Sequence, residues 1–350
     1  MVRPDWLDAP IVVPSQKHRQ DALSHQQQLT KPPGSLGVLE KIAVDFAGWQ
    51  NKVLPELEKL KIVVFAGDHG VVASGVSAFP QSVTVEMVKN FSRGGAAITV
   101  LAKNLNANFE VVDVGTVTDP GPLPSVISSR VGAGTSDMSQ GAAMDEKQLY
   151  TAMEVGRQAA IRGHKEGVQL LIGGEMGIGN TTAAAAVGGV LAGLSPTLMA
   201  GPGTGLDSEG VAKKAEVIQK ALDKNMPDAK DPLSVLRKVG GFELAALAGF
   251  YITSAQLGIP VLVDGFITTS AALAAVRLRP ELADWMLFAH LSEEPGHSAL
   301  LAAIGGQALV DLEMRLGEGS GAAVAVPLLK MACTLHAGMA TFAQAGVSQG

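Results

Sequence analysis

Continuous apolar runs recur along the chain, and most of them lead directly into Gly, Asp or His. They cover residues 61–66, 109–114, 168–172, 260–263 and 286–289. Because apolar and polar residues do not alternate within these runs, the pattern predicts strands that are covered on both faces.

Ala-rich stretches of helical character lie between the predicted strands. They cover residues 95–107, 148–165, 181–194, 208–224, 242–257 and 268–278. Strands that alternate with helices indicate an α/β fold, with a mostly parallel, Rossmann-like sheet flanked by helices. Ligands bind beyond the carboxyl ends of the strands in such sheets, which is where the Gly, Asp and Glu clusters of this chain fall.

The two ends of the chain have a different pattern. Residues 16–28 and 305–345 read as helical, without clear strands. We therefore expect a large α/β catalytic domain over residues 30–300 and a small helical domain built from residues 1–29 and 301–350. The segment 114–137, rich in Gly, Pro and Ser, is the nearest thing to a linker.

One uncharged run, residues 244–263, approaches the length of a membrane span. Gly258 and Pro260 interrupt it, so it predicts a helix, a turn and a buried strand. The first residues show no basic segment followed by an apolar one, so no signal peptide is expected.

The composition and charge of the chain argue against some classes of function and partner. The chain of 350 residues is 47% hydrophobic and carries a formal net charge of −6, with no Lys/Arg cluster. A nucleic-acid partner is therefore not expected, and an anionic substrate must be held locally. Cys333 is the only cysteine, which fits a reducing compartment such as the cytoplasm.

Two Gly-rich segments are candidate phosphate cradles, because their backbone N–H groups and the helix starts that follow can bind anions. They are residues 173–182 and 201–207. Ordinary strand–helix turns would also fit the pattern. Glu175 would repel phosphate and suits a ribose hydroxyl or a cationic ring better. Neither G-x-G-x-x-G nor a P-loop occurs.

A third candidate segment runs from Gly67 to Thr84. Asp68 and His69 follow a predicted strand and could be an acid–base pair or could hydrogen-bond a turn. Ser77, Phe79 and Gln81 combine an apolar plate with hydrogen-bonding groups, which suits a flat heterocycle.

Glu318 lies between glycines, in front of an apolar helix. Such glycines let a ligand approach the carboxylate closely, although a solvated carboxylate at a helix N-terminus fits the same pattern. Residues 290–297 hold two His and two Glu, but their spacing matches no H-E-x-x-H helix, so we expect a polar surface turn near the active site and no metal.

Taken in order, nine segments resemble the nicotinate-nucleotide–dimethylbenzimidazole phosphoribosyltransferase family of cobalamin nucleotide-loop assembly. They are residues 31–37, 67–71, 75–77, 174–182, 203–207, 240–243, 264–267, 292–297 and 317–321. Single segments are weak signals, but their ordered combination spans nearly the whole chain and is specific.

The resemblance implies a homodimer and a set of site residues. Glu318 would be the general base, and Lys213 is a weaker assignment for phosphate. The benzimidazole pocket would be lined by Ser77, Phe79 and Gln81. The nucleotide would be held by Glu175, Gly177, Gly203, Thr204 and Gly205. Three positions depart from the family pattern, namely Val38, Pro202 and Asp137, where Arg, Arg and Asn are usual.

The implied reaction moves the 5-phosphoribosyl group of nicotinate mononucleotide to 5,6-dimethylbenzimidazole with inversion, giving α-ribazole 5′-phosphate and nicotinate. It needs no metal or cofactor and no membrane or nucleic-acid partner. The rival hypotheses are an NAD-linked dehydrogenase, a binding protein without turnover and a metal hydrolase. The missing dinucleotide fingerprint argues against the first, and the intact Glu318 argues against the second.

Overall fold

The computed structural model describes residues 3–348, which form an α/β fold around one parallel sheet. Its strands are β1 (Leu60–Gly67), β2 (Asn108–Gly115), β3 (Val126–Ser128), β4 (Leu170–Met176), β5 (Val261–Val263), β6 (Met286–Leu291) and β7 (Ala308–Asp311). The strand order is β3-β2-β1-β4-β5-β6-β7, and every neighbouring pair is parallel.

Helices of very different length connect and flank the strands. They are α1 (Gln16–Gln26), α2 (Val38–Gln50), α3 (Ser82–Arg93), α4 (Ala97–Leu105), α5 (Glu146–Lys165), α6 (Asn180–Ala192), α7 (Pro196–Met199), α8 (Ser208–Asn225), α9 (Pro232–Val239), α10 (Phe242–Gln256), α11 (Phe266–Leu278), α12 (His297–Ile304), α13 (Ser320–Gly338) and α14 (Phe342–Ala345). Short 3₁₀ helices cover Asp5–Asp8, Gly70–Ser74 and Pro280–Trp285.

Both faces of the sheet are covered, as the apolar runs predicted. A β-carbon on Gly173 would meet Leu247 and Tyr251 of α10, whereas Ile172 lies against Gly319 at the start of α13. Because successive residues of a strand point to opposite faces, α10 and α13 cover opposite sides of β4. The glycine lets α10 come close to the strand.

The strand order reverses direction between β1 and β4. The chain moves outward from β1 through β2 to β3, and then returns to add β4 on the other side of β1. A sheet of this kind has a crevice at the carboxyl ends of the strands beside the reversal, where ligands bind. The topology therefore places a candidate site next to the ends of β1 and β4.

The predicted α/β class is confirmed, and all five predicted strands are present. Two further strands were missed. β3 lies inside the segment 114–137 that the sequence suggested as a linker, and β7 lies inside the region 305–345 that was expected to be helical. Both are short edge strands with partly exposed residues. Their apolar runs, Val126–Ile127 and Ala308–Val310, are shorter than those that identified the other strands.

The two ends of the chain pack together. Leu29 forms an antiparallel bridge with Thr341, and His25 Nε2 lies 2.9 Å from the carbonyl oxygen of His336. However, α13 also packs against β4 and β6, and its buried residues belong to the main hydrophobic core. The division into domains 30–300 and 1–29 plus 301–350 stays a prediction; residues 1, 2, 349 and 350 of it lie outside the described residues.

The uncharged run 244–263 forms most of α10, a turn and β5, as predicted. Among residues 3–348, one helix, α13, is long and apolar enough to cross a membrane by length and composition. Half of its most apolar stretch is buried inside the protein. A core helix passes the same test, so this is weak evidence for a span.

Candidate active site

A cavity of about 360 Å³ opens at the carboxyl ends of β4, β5 and β6. One wall is apolar, with Phe79, Val83, Met87 and Leu316. The remaining lining mixes apolar side chains with carboxyl and hydrogen-bonding groups, of which Glu175, Asp264 and Ser292 lie at or just after the ends of the three strands. The site therefore lies where the topology of the sheet predicts a ligand.

Glu318 enters this cavity from a strained turn. Its φ is 64°, and the flanking Gly317 and Gly319 both have φ of 85°. A β-carbon on Gly174 of β4 would collide with the Glu318 carbonyl oxygen, so the glycine lets the turn lie directly on the strand. Three successive left-handed residues are costly for anything but glycine, which suggests a functional constraint on Glu318.

Glu318 is 5% exposed. Its Oε2 accepts a hydrogen bond from the backbone N–H of Ile98 at 3.2 Å. Burial raises the pKa of Glu318 above its ordinary value, and the charge of Asp264 raises it further, although the Ile98 bond opposes the shift. A carboxylate with a raised pKa is a stronger base than one in water.

Glu175, near the end of β4, lines the cavity and is 4% exposed. Burial raises its pKa to about 8, with additional contributions from Asp264 and Glu243. Its carboxyl group accepts hydrogen bonds from the Asn180 side chain and from the backbone N–H of Glu318. At neutral pH this group carries a proton and can donate a hydrogen bond.

Asp264, after β5, holds the start of α13. Its carboxylate accepts hydrogen bonds from the backbone N–H groups of Gly319 at 3.2 Å and Ala322 at 2.7 Å. His290 Nε2 lies 3.9 Å from Asp264 Oδ1, and His290 Nδ1 has no hydrogen-bond partner. Burial raises the pKa of Asp264. Asp264 thus fixes the turn that carries Glu318.

A second corner of the cavity combines a glycine-rich loop with one cation that lines the cavity, Arg315, and a second cation, Lys214, that is buried behind the loop. The Lys214 ammonium group donates to Thr181 Oγ1 and to the Gly201 carbonyl, each at 2.9 Å. Arg315 Nη1 donates to the Gly203 carbonyl at 3.3 Å. Burial lowers the pKa of Lys214 to about 8. We call this group, with Glu294, the anion corner.

His69 and Glu243 lie beneath the loop that follows β4. His69 Nε2 is 2.7 Å from Glu243 Oε1, and both side chains are buried. Burial alone would lower the pKa of His69, but the charge and hydrogen bond of Glu243 outweigh it and the pKa is raised. Asp68, His69 and Glu243 are not among the residues that line the cavity, and Asp68 accepts a hydrogen bond from the backbone N–H of Val117.

The segment 290–297 contains the end of β6, a turn and the start of α12. The expectation of a surface turn holds only for Glu293 and Pro295, which are exposed, because the side chains of His290, Ser292, Glu294 and His297 are buried. His297 Nδ1 accepts the backbone N–H of Ser292 at 2.8 Å, and its Nε2 lies 3.0 Å from Thr269 Oγ1. Burial lowers the pKa of His297 to about 3, so the ring is neutral. Among residues 3–348, no group of three or more His, Cys, Asp or Glu could hold a metal ion.

Six of the ten predicted site residues line the cavity: Phe79, Glu175, Gly177, Gly203, Thr204 and Glu318. Ser77 is adjacent, with its Oγ 3.3 Å from Thr204 Oγ1. Gln81 donates to the His69 carbonyl at 2.7 Å, and Gly205 lies outside the lining. Their roles stay predictions.

Lys213 is exposed beside Gly75, whereas its neighbour Lys214 is 1% exposed and faces the loop at Gly203. The buried positions of α8 are Lys214, Ile218 and Ala221. This spacing is one helical face, so the apolar periodicity of α8 could have selected Lys214. The other residues that sequence reasoning left without a role are Asp264, His290, Ser292, Glu294 and Arg315.

The three residues that depart from the family pattern, Asp137, Val38 and Pro202, lie in different structural environments. Asp137 caps a local turn, where its carboxylate accepts from Ser139 N and Ser74 Oγ. Val38 begins α2 and is exposed. Pro202 leaves the glycine-rich loop without a cation of its own, and Arg315 supplies one beside Gly203.

Sequence comparison defines the class of this protein. The profile described as "Phosphoribosyltransferase" matches residues 11–347. The chain belongs to the nicotinate-nucleotide–dimethylbenzimidazole phosphoribosyltransferase family, as the resemblance predicted. A protein so named from Xanthomonas euvesicatoria is 55% identical over 344 residues, which cover 98% of this chain and 99% of the relative. One from Pseudomonas fluorescens is 55% identical over 343 residues, covering 98% and 97%.

The fold agrees with a solved structure. The crystal structure of nicotinate-nucleotide–dimethylbenzimidazole phosphoribosyltransferase from Thermus thermophilus superposes with a TM-score of 0.91 at 44% identity. The match covers 96% of this chain and all of that one. The α/β architecture described above is therefore that of the family.

Proposed function

We propose that the protein transfers the 5-phosphoribosyl group of nicotinate mononucleotide to 5,6-dimethylbenzimidazole, which gives nicotinate and α-ribazole 5′-phosphate for the lower ligand of cobalamin. Its relatives carry the name of this activity at high identity over the full length. The proposal includes a homodimer that works in the cytoplasm on these small molecules, without a nucleic-acid or membrane partner.

The observation that carries the proposal is the placement of Glu318. The reaction breaks a glycosidic bond to a cationic pyridinium, so nicotinate leaves with a neutral ring nitrogen and needs no general acid. The attacking benzimidazole becomes cationic as the new bond to C1′ forms, until its N–H proton is removed. Glu318 is a buried carboxylate of raised pKa, which is suited to take that proton.

The apolar wall is suited to the acceptor base. Phe79, Val83, Met87 and Leu316 line the side of the cavity on which a flat aromatic ring can pack without loss of hydrogen bonds. Glu318 lines the same cavity, two residues after Leu316. A ring bound on this wall would direct one nitrogen to the carboxylate and leave the other free to attack.

The anion corner is suited to the 5′-phosphate. Arg315 lines the cavity beside Gly203 and Lys214 lies directly behind the loop, and charge-assisted hydrogen bonds from such cations hold phosphate strongly. Binding energy from this remote group would fix the ribose for attack. Glu175, which carries a proton at neutral pH, would donate a hydrogen bond to a ribose hydroxyl.

Inversion follows from this arrangement if acceptor and leaving group occupy opposite sides of C1′. Attack opposite the departing nicotinate would turn the β-glycosidic bond of the substrate into the α-bond of the product. The protons balance, because the one taken by Glu318 returns to solvent when the products leave.

The proposal is tested by incubating the protein with nicotinate mononucleotide and 5,6-dimethylbenzimidazole and separating the products by chromatography. Wild type should release nicotinate and an α-ribazole phosphate, whose anomeric configuration NMR reads directly. Glu318→Gln should lose about 10²-fold or more in turnover, as expected for a missing general base.

Glu313→Gln is the matched control, because Glu313 is an exposed glutamate that also has a positive φ, of 55°. It should keep wild-type turnover. A folded wild type that forms neither product would refute the activity. Near-normal turnover in Glu318→Gln would refute the base.

A further inference from the structure

The carboxyl group of Glu294 occupies the anion corner. Its Oε1 accepts the backbone N–H of Gly203 at 2.9 Å, and its Oε2 makes no hydrogen bond. The side chain is 5% exposed, and a β-carbon on Gly201 would collide with Oε2. The Gly203 N–H, which could bind an incoming anion, is therefore already bonded to Glu294 Oε1. The buried Oε2 of the same carboxyl group has no hydrogen-bond partner among the residues that the structure describes.

The groups that face Glu294 come from several elements. Lys214 of α8 and Arg315, between β7 and α13, contribute opposite charge, while the Ser292 hydroxyl accepts the Glu294 backbone N–H at 3.3 Å. His290 of β6 lines the same cavity, and the neutral His297 follows on α12. Burial raises the pKa of Glu294, and the two cations oppose the rise.

A phosphate monoester changes the charge balance of this corner. Two cations face one carboxylate before binding. A dianion brings the negative charge to three against two cations, in surroundings where an unbalanced charge is costly. One proton on Glu294 restores a balance of two against two. The unpaired Oε2 is the atom that can hold this proton without breaking the bond from Gly203.

We propose, on the basis of the function proposed above, that Glu294 takes up one proton from solvent when the phosphate group of the substrate binds, and releases it when the phosphorylated product leaves. Glu294 is thus a binding residue that couples phosphate affinity to pH. Its proton is separate from the one that Glu318 removes from the acceptor, because the phosphate stays bound throughout the transfer.

The test measures proton uptake with inorganic sulfate as the probe. Sulfate remains a dianion at neutral pH, so a proton taken up on binding must come to the protein. Isothermal titration calorimetry in two buffers with different ionisation enthalpies gives the number of protons. At a pH of about 7, Lys214 is already mostly protonated and adds little to the count.

Wild type should take up close to one proton per sulfate, and its affinity should fall as pH rises. Glu294→Gln, which keeps an oxygen for the Gly203 N–H, should take up much less, and what remains should come from Lys214, whose pKa Glu294 raises in the wild type. It should bind sulfate about tenfold more tightly at a pH of about 8, and the advantage should shrink toward pH 6. The matched control is Glu293→Gln, the exposed neighbour, which should behave as wild type.

Sulfate binding without proton uptake, or equal uptake in Glu294→Gln and wild type, would overturn the proposal and leave the proposed phosphate subsite intact. If wild type binds no sulfate while it catalyses the transfer, the subsite lies elsewhere and the proposal falls with it. If wild type shows sulfate-linked uptake but no transfer, the role of Glu294 stands and the proposed function fails.

Discussion

Two clusters of buried charge lie at opposite ends of the sheet, and they differ in how their charges are balanced. At the amino ends of β1 and β2, Lys61 is 3% exposed and lies 2.9 Å from Glu110 and 2.5 Å from Glu166. Arg162 binds Glu110 at 2.7 Å. Lys61 outweighs the effect of burial on Glu166, so the pKa of that carboxyl group is lowered.

At the carboxyl ends, Glu175, Asp264 and Glu318 share one cavity. Within the described part of the chain, the only ion pair that any of them makes is Asp264 with His290, at 3.9 Å. Burial raises the pKa of all three. We infer from the comparison that carboxylates stabilise the fold where cations match them, as Lys61 matches the buried Glu110 and the exposed Glu166. Where no cation lies beside them, buried carboxyl groups have raised pKa values and can therefore accept or hold a proton during a reaction.

The largest effect that tests this comparison is a loss of stability, expected on substitution of Lys61 at the amino ends of β1 and β2. Lys61→Met removes the shared cation, but Glu110 keeps Arg162 and Glu166 is exposed, so the loss should lie at the lower end of the about 3–5 kcal/mol that breaking a buried pair costs. Urea unfolding should show this loss, while the folded variant keeps its turnover. Lys59→Met, the same change at an exposed position nearby, should stay within about 0.5 kcal/mol of wild type. Equal stability of the two variants would mean that the paired cluster is not structural.

A somewhat smaller effect is expected in the anion corner. Lys214→Met removes the buried ammonium group from the Gly203 loop and should lower kcat/KM for nicotinate mononucleotide by about 10²-fold. Most of this loss should appear in KM. Lys213→Met, one residue away and exposed, should change kcat/KM less than about threefold. The reverse ranking in steady-state kinetics would return the phosphate assignment to Lys213.

The smallest effect is expected on the free energy of unfolding, at Glu175, a buried carboxyl group that forms no ion pair within residues 3–348. The pKa of Glu175 is about 8 in the folded protein against 4.5 ordinarily, so the folded state holds the proton more tightly. Its contribution to stability is therefore present below a pH of about 4.5 and is lost as pH rises to about 8. Glu175→Gln imitates the protonated group and should be more stable than wild type by about 1–3 kcal/mol at pH 8.

This gain should vanish toward pH 5, where Glu175 of the wild type is protonated as well. Urea unfolding at the two pH values measures it without substrate. A difference between Glu175→Gln and wild type that does not change with pH would show that Glu175 holds no extra proton.

The sequence was sufficient to predict the elements that are buried on both faces. The strands β1, β2, β4, β5 and β6 stand out because a continuous apolar run ends in a glycine or a polar turn. β3 and β7 were not predicted in this way, because these edge strands are only partly buried and their apolar runs are just two and three residues long.

For the site, the glycine-flanked carboxyl residues Glu175 and Glu318 could be singled out from the sequence. Their shared cavity could not, because it depends on how the ends of β4, β5 and β6 meet. Glu294 and Asp264 gain their importance from burial and from the backbone N–H groups that they bind, neither of which a linear pattern contains. Lys214 is the exception, since the helical spacing already separates it from Lys213.

The central claim, that the unpaired carboxylate Glu318 is the catalytic base, is tested most directly by the dependence of turnover on pH. The account predicts that turnover of wild type rises with pH through a pKa above the ordinary glutamate value, as Glu318 loses its proton. Glu318→Gln should lose both this rise and about 10²-fold or more in turnover, whereas Glu313→Gln keeps both. A Glu318→Gln enzyme with the turnover and the pH profile of wild type would contradict the account.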